Sequence, residues 1–428
     1  MNYQEDQAYG PEHNNRKKII AILVILVIVA VACIVLFNRK TPEAPPAAEE
    51  EALDFTWIKS VEDFQLLKDS TGKFKLANDI DFSGVTVWEP IVFAGELDGN
   101  GHRLLNVAIP CLFNENNGTI KNLTLSNFFS GTISVDANTY VGLVQYNNGT
   151  ISHCSVTQST VSSAYTLGFF AYYNAGTVED CSVTSTSILE RGVEGGGIAI
   201  MNETSGKIFR CYTDLTLNVH RLYFGGIVKI NCGTVSTCYS RNRIDANVTN
   251  FGSGTHISAN VHAGGIAADN DARIEECYSV FQLNAVAVAQ NDAPTSGMLG
   301  TKTSATVIAG GLTGNNMGEI VNCFADVNLF TNVDGKDKNS SKELTLGNHT
   351  GYLHGNNISE FESGTLQNSY YSQSSAVSAQ KQDKTVAHNE DGIRASATEL
   401  GSQSFCTGTL GWNADNWVFS SSGFPTLQ

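Results

Sequence analysis

The sequence predicts an all-β fold, a right-handed parallel β-helix (β-solenoid) of about eight coils, and three observations carry that expectation. One unit recurs: Gly142 to Val156 reads GLVQYNNGTISHCSV, Gly225 to Tyr239 reads GGIVKINCGTVSTCY, and Gly310 to Phe324 reads GGLTGNNMGEIVNCF. Its columns keep register. Cys154, Cys181, Cys211, Cys238, Cys277 and Cys323 share one, with Leu123 before them and Ser369 after; Asn116, Asn147, Asn174, Asn231, Asn270 and Asn316 stand seven residues upstream. Gly118, Gly149, Gly176, Gly206, Gly233, Gly318 and Gly364 stand five upstream. The distance between copies nevertheless varies from 27 to 46 residues, as it does when stacked coils let extra residues out between fixed motifs.

Each copy runs from a Gly-Gly or Gly-Leu segment through Asn-x-Gly into Thr-Ile and Cys-x-Val, which reads as short strands parted by turns. Asn and Gly are expected at the turn because they tolerate the positive φ of a sharp corner. Parallel pairing about 4.8 Å apart stacks equal positions into ladders. The Asn column then forms an amide ladder along a corner, and the Cys column lines the interior. Stacked thiols on parallel Cβ vectors stay near the strand spacing, outside the ~3.5 to 4.5 Å Cβ separation of a disulfide, so buried free thiols are expected. No copy holds a C-x-x-C pair or a His at metal-ligand spacing, so neither a metal nor a cofactor is expected. His153, beside Cys154, reads as an isolated polar residue.

Copies such as GGLTGNNMGEIVNCF and VGLVQYNNGTISHCS resemble the GLUG-motif repeat of bacterial surface proteins. The resemblance covers Leu112 to Tyr371, and the flanks NDIDFSG, LDGNGH and LGW…W…FPTLQ are similar to those around such repeats. It implies a bacterial surface or secreted protein; some members are adhesin-like and some are attached to immunoglobulin A peptidases. Scaffold and location are implied more firmly than activity.

At the N-terminus, residues 1–18 form a polar tail ending in Arg16-Lys17-Lys18. Ile19 to Phe37 carries no charge, Pro or Gly, and nineteen residues at about 1.5 Å each span a bilayer core as one transmembrane helix. Three basic residues before it against Arg39 and Lys40 after it place the N-terminus in the cytoplasm. The apolar run is too long for a cleaved signal peptide, and it continues past Cys33 where a lipoprotein would turn polar. Residues 38–53 are a Pro/Glu-rich linker. Residues 54–111 supply an N-terminal cap and the first coils: Ser60-Val61-Glu62-Asp63 resembles a capping box, opening a short helix with Val61, Phe64 and Leu67 on one side that covers the end of the stack. Asp79, Asp81 and Asp98 match no calcium-loop spacing and read as turn carboxylates.

The repeat solenoid occupies 112–371. All added length falls in one phase of the coil, so loops near Asn250–Asn260, Gln290–Ser304 and Asn332–Lys342 are expected to project from one side. One residue past the Cys column, the later copies carry Tyr212, Tyr239, Tyr278, Phe324 and Tyr370. Alternation turns these rings outward, giving a candidate ligand-binding stripe for a glycan or extended peptide; the competing reading is rings that only stack on one another. Residues 372–428 form a loop and C-terminal cap, with Trp412, Trp417, Phe419 and Phe424 closing the far end.

The formal charge is −16, and because residues 1–40 hold five basic and three acidic side chains, the remainder carries −18. That excludes nucleic acid and anionic membrane surfaces as partners. No H-E-x-x-H, G-x-S-x-G or phosphate-binding glycine loop occurs, so the expectation is not an enzyme but a membrane-anchored binding or adhesion protein for glycans or surface ligands. The alternatives are a polysaccharide-cleaving β-helix enzyme and a passive stalk.

Overall fold

The computed structural model describes residues 55–128, 140–161, 166–189, 192–292, 301–338, 342–356, 364–382 and 384–428. Within Phe55–Gln428, which form one unit, parallel strands stack into three long sheets. The first has eleven strands, from Thr56–Ile58 to Thr365–Gln367, eight of which belong to the aligned copies and three precede them. The second has fifteen and the third fourteen. A copy enters on one arm of the second sheet (Arg221–Gly225), bends at Gly-Gly onto its other arm (Val228–Asn231), and turns at Asn-x-Gly into the first sheet (Thr234–Ser236). It then enters the third sheet at Tyr239.

Register is one-to-one between copies: Ile120, Ile151, Val178, Ile208, Val235, Ile274 and Ile320 are successive partners in the first sheet, all fully buried. Burying each such side chain contributes about 1.5–3 kcal/mol, so a strict column of β-branched residues holds the stack in register. The Asn ladder is continuous. Each Nδ2 donates to the Oδ1 of the next coil's Asn from Asn116 to Asn316, at 2.8 to 2.9 Å. It includes Asn202, which the fixed spacing missed because two extra residues separate it from Gly206. The six column cysteines are buried and free. The backbone N–H of Cys211, Cys238 and Cys277 each donates to the next coil's sulfur at 3.4 Å, and Ser369 Oγ takes that place for Cys323. Burial pushes the Cys181, Cys211 and Cys277 thiols well above their usual range.

Three expectations are corrected. The repeat glycines do not have positive φ; a Cβ on Gly149 would lie 2.1 Å from the Gly118 carbonyl oxygen, and one on Gly226 would lie 1.8 Å from that of Gly265, so close stacking of coils requires glycine. The left-handed corner lies instead just before the Cys column, at Asn122, His153, Asp180, Arg210, Thr237, Glu276, Asn322 and Asn368, with φ of 48° to 56°. His153 is one member of this series and faces Asp180 at 3.6 Å. Among the described residues, finally, the added length of later copies lengthens the strands rather than forming loops: Tyr239–Gly252 with His256–Gly264, Tyr278–Asn291 with Thr301–Gly310, and Phe324–Asp337 with Lys342–Gly351; residues 293–300 and 339–341 of the expected loops lie outside those described. Ala246, Val248, Ala285, Ala287 and Ala289 on one sheet and Ala259, Val261, Ala305 and Val307 on the other are buried between them. Alternating small apolar residues let the two sheets close on each other, so the coil widens.

At the N-terminal end, Glu62–Leu67 is a 3₁₀-helix with Phe64 and Leu67 buried. Ser60 does not cap it through its side chain; Asp63 accepts the N–H groups of Lys59 and Ser60 at 2.7 and 3.1 Å. The turn after it bonds to the terminal strand Ile91–Phe93 of the second sheet and so covers that edge. Asp79, Asp81 and Asp98 hold Arg103, Asn106 and Asn122. The expected membrane helix at 19–37 lies outside the described residues; among those described, no helix is long and apolar enough to cross a membrane.

Candidate functional site

The aromatic column expected to be an open stripe forms a ladder, and it is covered. Tyr212, Tyr239, Tyr278 and Phe324 stack with centroids 4.8, 5.0 and 4.9 Å apart and planes within 9°. Tyr239 is 5% exposed, Tyr278 and Phe324 0%, and Tyr212 and Tyr370 half-buried. The cause is the C-terminal segment: Ile393–Ala395 adds the last strand to the third sheet at the far end, and the chain after it runs back along the side of the stack as a strap. Phe405 meets Tyr370 edge-on at 5.0 Å, Trp412 stacks on Phe324 at 5.5 Å and on Trp417 at 4.7 Å, and Phe424 lies 5.3 Å from Phe324. Trp412 Nε1 donates to the Asn322 carbonyl at 2.7 Å, and Tyr278 donates its hydroxyl to the Pro425 carbonyl. Ser396 opens the strap by capping the helix Ala397–Leu400 through Glu399 N–H. With these rings desolvated against tryptophan, the column is a core, and a ligand cannot stack on it while the strap is in place.

An open aromatic row stands elsewhere, on the outer face of the second sheet. Its register runs Glu115, Tyr146, Tyr173, Met201, Ile230, Asp269, Asn315. Tyr146 and Tyr173 stack at 5.3 Å and 12°, and Tyr172 leans on Tyr173 at 4.4 Å. Tyr146 is 41% exposed. Its neighbour in the preceding coil, Glu115, accepts from Asn148 at 3.0 Å, which draws the carboxylate aside and leaves the row ending on an aromatic face.

The row leads into a polar cluster where the two arms of the second sheet meet. Glu194 binds Arg221 at 2.5 Å and Lys229 at 3.1 Å, and the Lys229 ammonium lies 4.1 Å over the Tyr223 ring. Tyr223 stacks on His262 at 4.6 Å and donates its hydroxyl to Asp269. Asp269 also accepts from Asn315 at 2.8 Å. His262 Nε2 lies 3.1 Å from both Asp269 Oδ1 and the Ala268 carbonyl, so this nitrogen carries a proton. Burial opposes charge on Asp269, but the hydrogen bonds from His262, Tyr223 and Asn315 hold its carboxyl below the usual range. Burial and that same carboxylate push the Tyr223 hydroxyl up. Beside the cluster opens a cleft of about 410 Å³ with Arg221, Asn260, His262, Thr306 and Ile308 on its walls. The arrangement presents ring, amide, hydroxyl and imidazole groups held in place by ion pairs. Among the described residues, no three His, Cys, Asp or Glu side chains are grouped to hold a metal ion.

No family model matches the chain, and no curated protein sequence matches it. Among solved structures, it is similar to a protein of Bacteroides ovatus named as a candidate immunoglobulin A1 protease, at 18% identity and a TM-score of 0.38, covering 87% of this chain and 91% of the other. A second, named IgA1 protease, is 14% identical with a TM-score of 0.38, over 77% of this chain and 22% of its own length.

Proposed function

We propose that this chain is a bacterial surface protein that binds carbohydrate through the outer face of its second sheet. In this reading residues 19–37 anchor it in the membrane with the N-terminus in the cytoplasm, and a right-handed solenoid of the GLUG-repeat type is displayed outside. The observation that carries the reading is the stacked pair of exposed Tyr146 and half-buried Tyr173, whose ladder ends on an exposed ring and continues into the Glu194–Arg221–Tyr223–His262 cluster. Aromatic faces flanked by fixed hydrogen-bonding groups suit sugars, which offer apolar C–H faces and hydroxyl edges. Adhesion is then the display of this face to another surface.

The test is a glycan array probed with the full-length chain and with a Tyr146→Ala/Tyr173→Ala variant. Binding that the variant loses while its melting curve is unchanged supports the reading; equal binding by both removes it. Product analysis on each bound glycan, and on immunoglobulin A1 incubated with the chain, separates binding from cleavage. Any new chain end would replace adhesion with hydrolysis.

A further inference from the structure

A cavity of about 610 Å³ lies within the C-terminal strap, on a different side of the molecule's sheets from the tyrosine row. One wall is the segment from Ala397 to Gln403 and the other the loop from Phe419 to Phe424. The walls touch at their base, where a Cβ on Gly401 would come within 2.4 Å of the Gly423 carbonyl oxygen. Gly423 has φ of 88°, a conformation open to glycine that turns the loop back over the cavity.

The lining has an unusual composition for a chain of formal charge −16: it contains no ionisable side chain. It offers the hydroxyls of Thr398, Ser421 and Ser422, the Gln403 amide, and the rings of Phe419 and Phe424. Phe424 is held from behind by Phe324 at 5.3 Å and Tyr278 at 5.8 Å, so its ring is fixed in place by the covered ladder. Ser402 and Ser420 are already engaged, with the Glu399 and Ser422 carbonyls respectively.

We infer that this cavity is a binding site for one neutral sugar unit. Its volume is within the range of about 300–1,000 Å³ typical of small-molecule sites. A sugar's C–H face matches the phenylalanine rings, and its hydroxyls match donors and acceptors that are not committed to the protein. An anionic sugar finds no cation in the lining, so burying its charge there is disfavoured, and the chain's net charge repels it. The site shares its ligand class with the outer-face reading but no residue with it, so either can fail alone.

The experiment is saturation-transfer NMR on the full-length chain with methyl β-glucoside, methyl β-galactoside, N-acetylglucosamine and glucuronate. Two variants address the cavity: Ser421→Trp, which fills it from an exposed rim position, and Gln403→Ala, which removes the amide. The expected result is transfer to at least one neutral sugar and none to glucuronate, with affinity about tenfold lower in Ser421→Trp and lower in Gln403→Ala. The Tyr146→Ala/Tyr173→Ala variant is expected to leave that transfer unchanged. No transfer to any neutral sugar, equal transfer to glucuronate, or wild-type transfer in both cavity variants overturns the inference. Loss confined to the tyrosine variant also overturns it and assigns the sugar to the outer face.

Discussion

Two tyrosine ladders stand on this solenoid, built by the same rule and put to different use. In both, an outward position repeats from coil to coil and the rings stack about one strand spacing apart: Tyr212 to Phe324 on the third sheet, and Tyr146 with Tyr173 on the second. The first is sealed under Trp412, Trp417 and Phe424, while the second meets solvent. Periodicity fixes whether a side chain points out of the coil. Whether it then reaches water depends on what non-repeating chain lies over it, which the strap supplies for the first ladder.

Substitutions can separate what the ladders share from what divides them. The largest effect is expected from Gly226→Ala, whose Cβ would meet the Gly265 carbonyl oxygen at 1.8 Å and force the coils beneath both ladders apart. A loss above about 4 kcal/mol is expected, read as failure to fold on a denaturant titration. Trp417→Ala acts on the covered ladder alone. Removing this ring, 2% exposed, is expected to destabilise the strap by about 3–5 kcal/mol and to make buried Cys406 reactive toward a thiol reagent, with the Tyr146 face unaltered. Asn231→Ala leaves Asn202 and Asn270 without their ladder partner, for a loss of about 1–3 kcal/mol in the same titration.

Alkali should also distinguish the two. Burial pushes the Cys406 thiol up to about 12 from an ordinary 9.0, and burial beside Tyr212 and Asp214 pushes Tyr239 up to about 12 from 10.0, against the opposing pull of Arg241. Both groups hold their protons more firmly when folded. Their contribution is therefore complete below about pH 9 and is lost as pH rises toward 12. Hydrogen exchange across that window is expected to show the strap loosening. The smallest stability effect is expected for Tyr146→Ala, within about 1 kcal/mol by thermal melting, because its ring is 41% exposed and loses only its stack on Tyr173.

Much of the architecture was legible because a solenoid repeats its constraints. The Asn and Cys columns of the sequence are ladders in space, and Val156, Val183, Ser240 and Ser279 point inward with the cysteines, as alternation requires. The left-handed corner was visible too, as Asn at positions 122, 322 and 368, but five other residue types in that column hid it. Asn202 was masked by a two-residue insertion. The candidate site was not legible. Tyr146 and Tyr173 lie in a column that changes to Met201, Ile230 and Asp269, so no repeat signal marked them. Covering of the predicted aromatic stripe depended on residues 396–427, which carry no repeat and whose tryptophans suit an end cap and a side strap equally well.

The most direct test compares one glycan ligand against four forms of the full-length chain: wild type, Tyr146→Ala/Tyr173→Ala, Ser421→Trp, and Trp417→Ala. If the open ladder is the binding face and the covered one is core, the double variant loses at least about tenfold in affinity while Trp417→Ala binds as the wild type does. Binding that strengthens when Trp417→Ala releases the strap would show that the covered ladder is the ligand surface and contradict this account, and binding that neither the double variant nor Ser421→Trp diminishes would contradict it too.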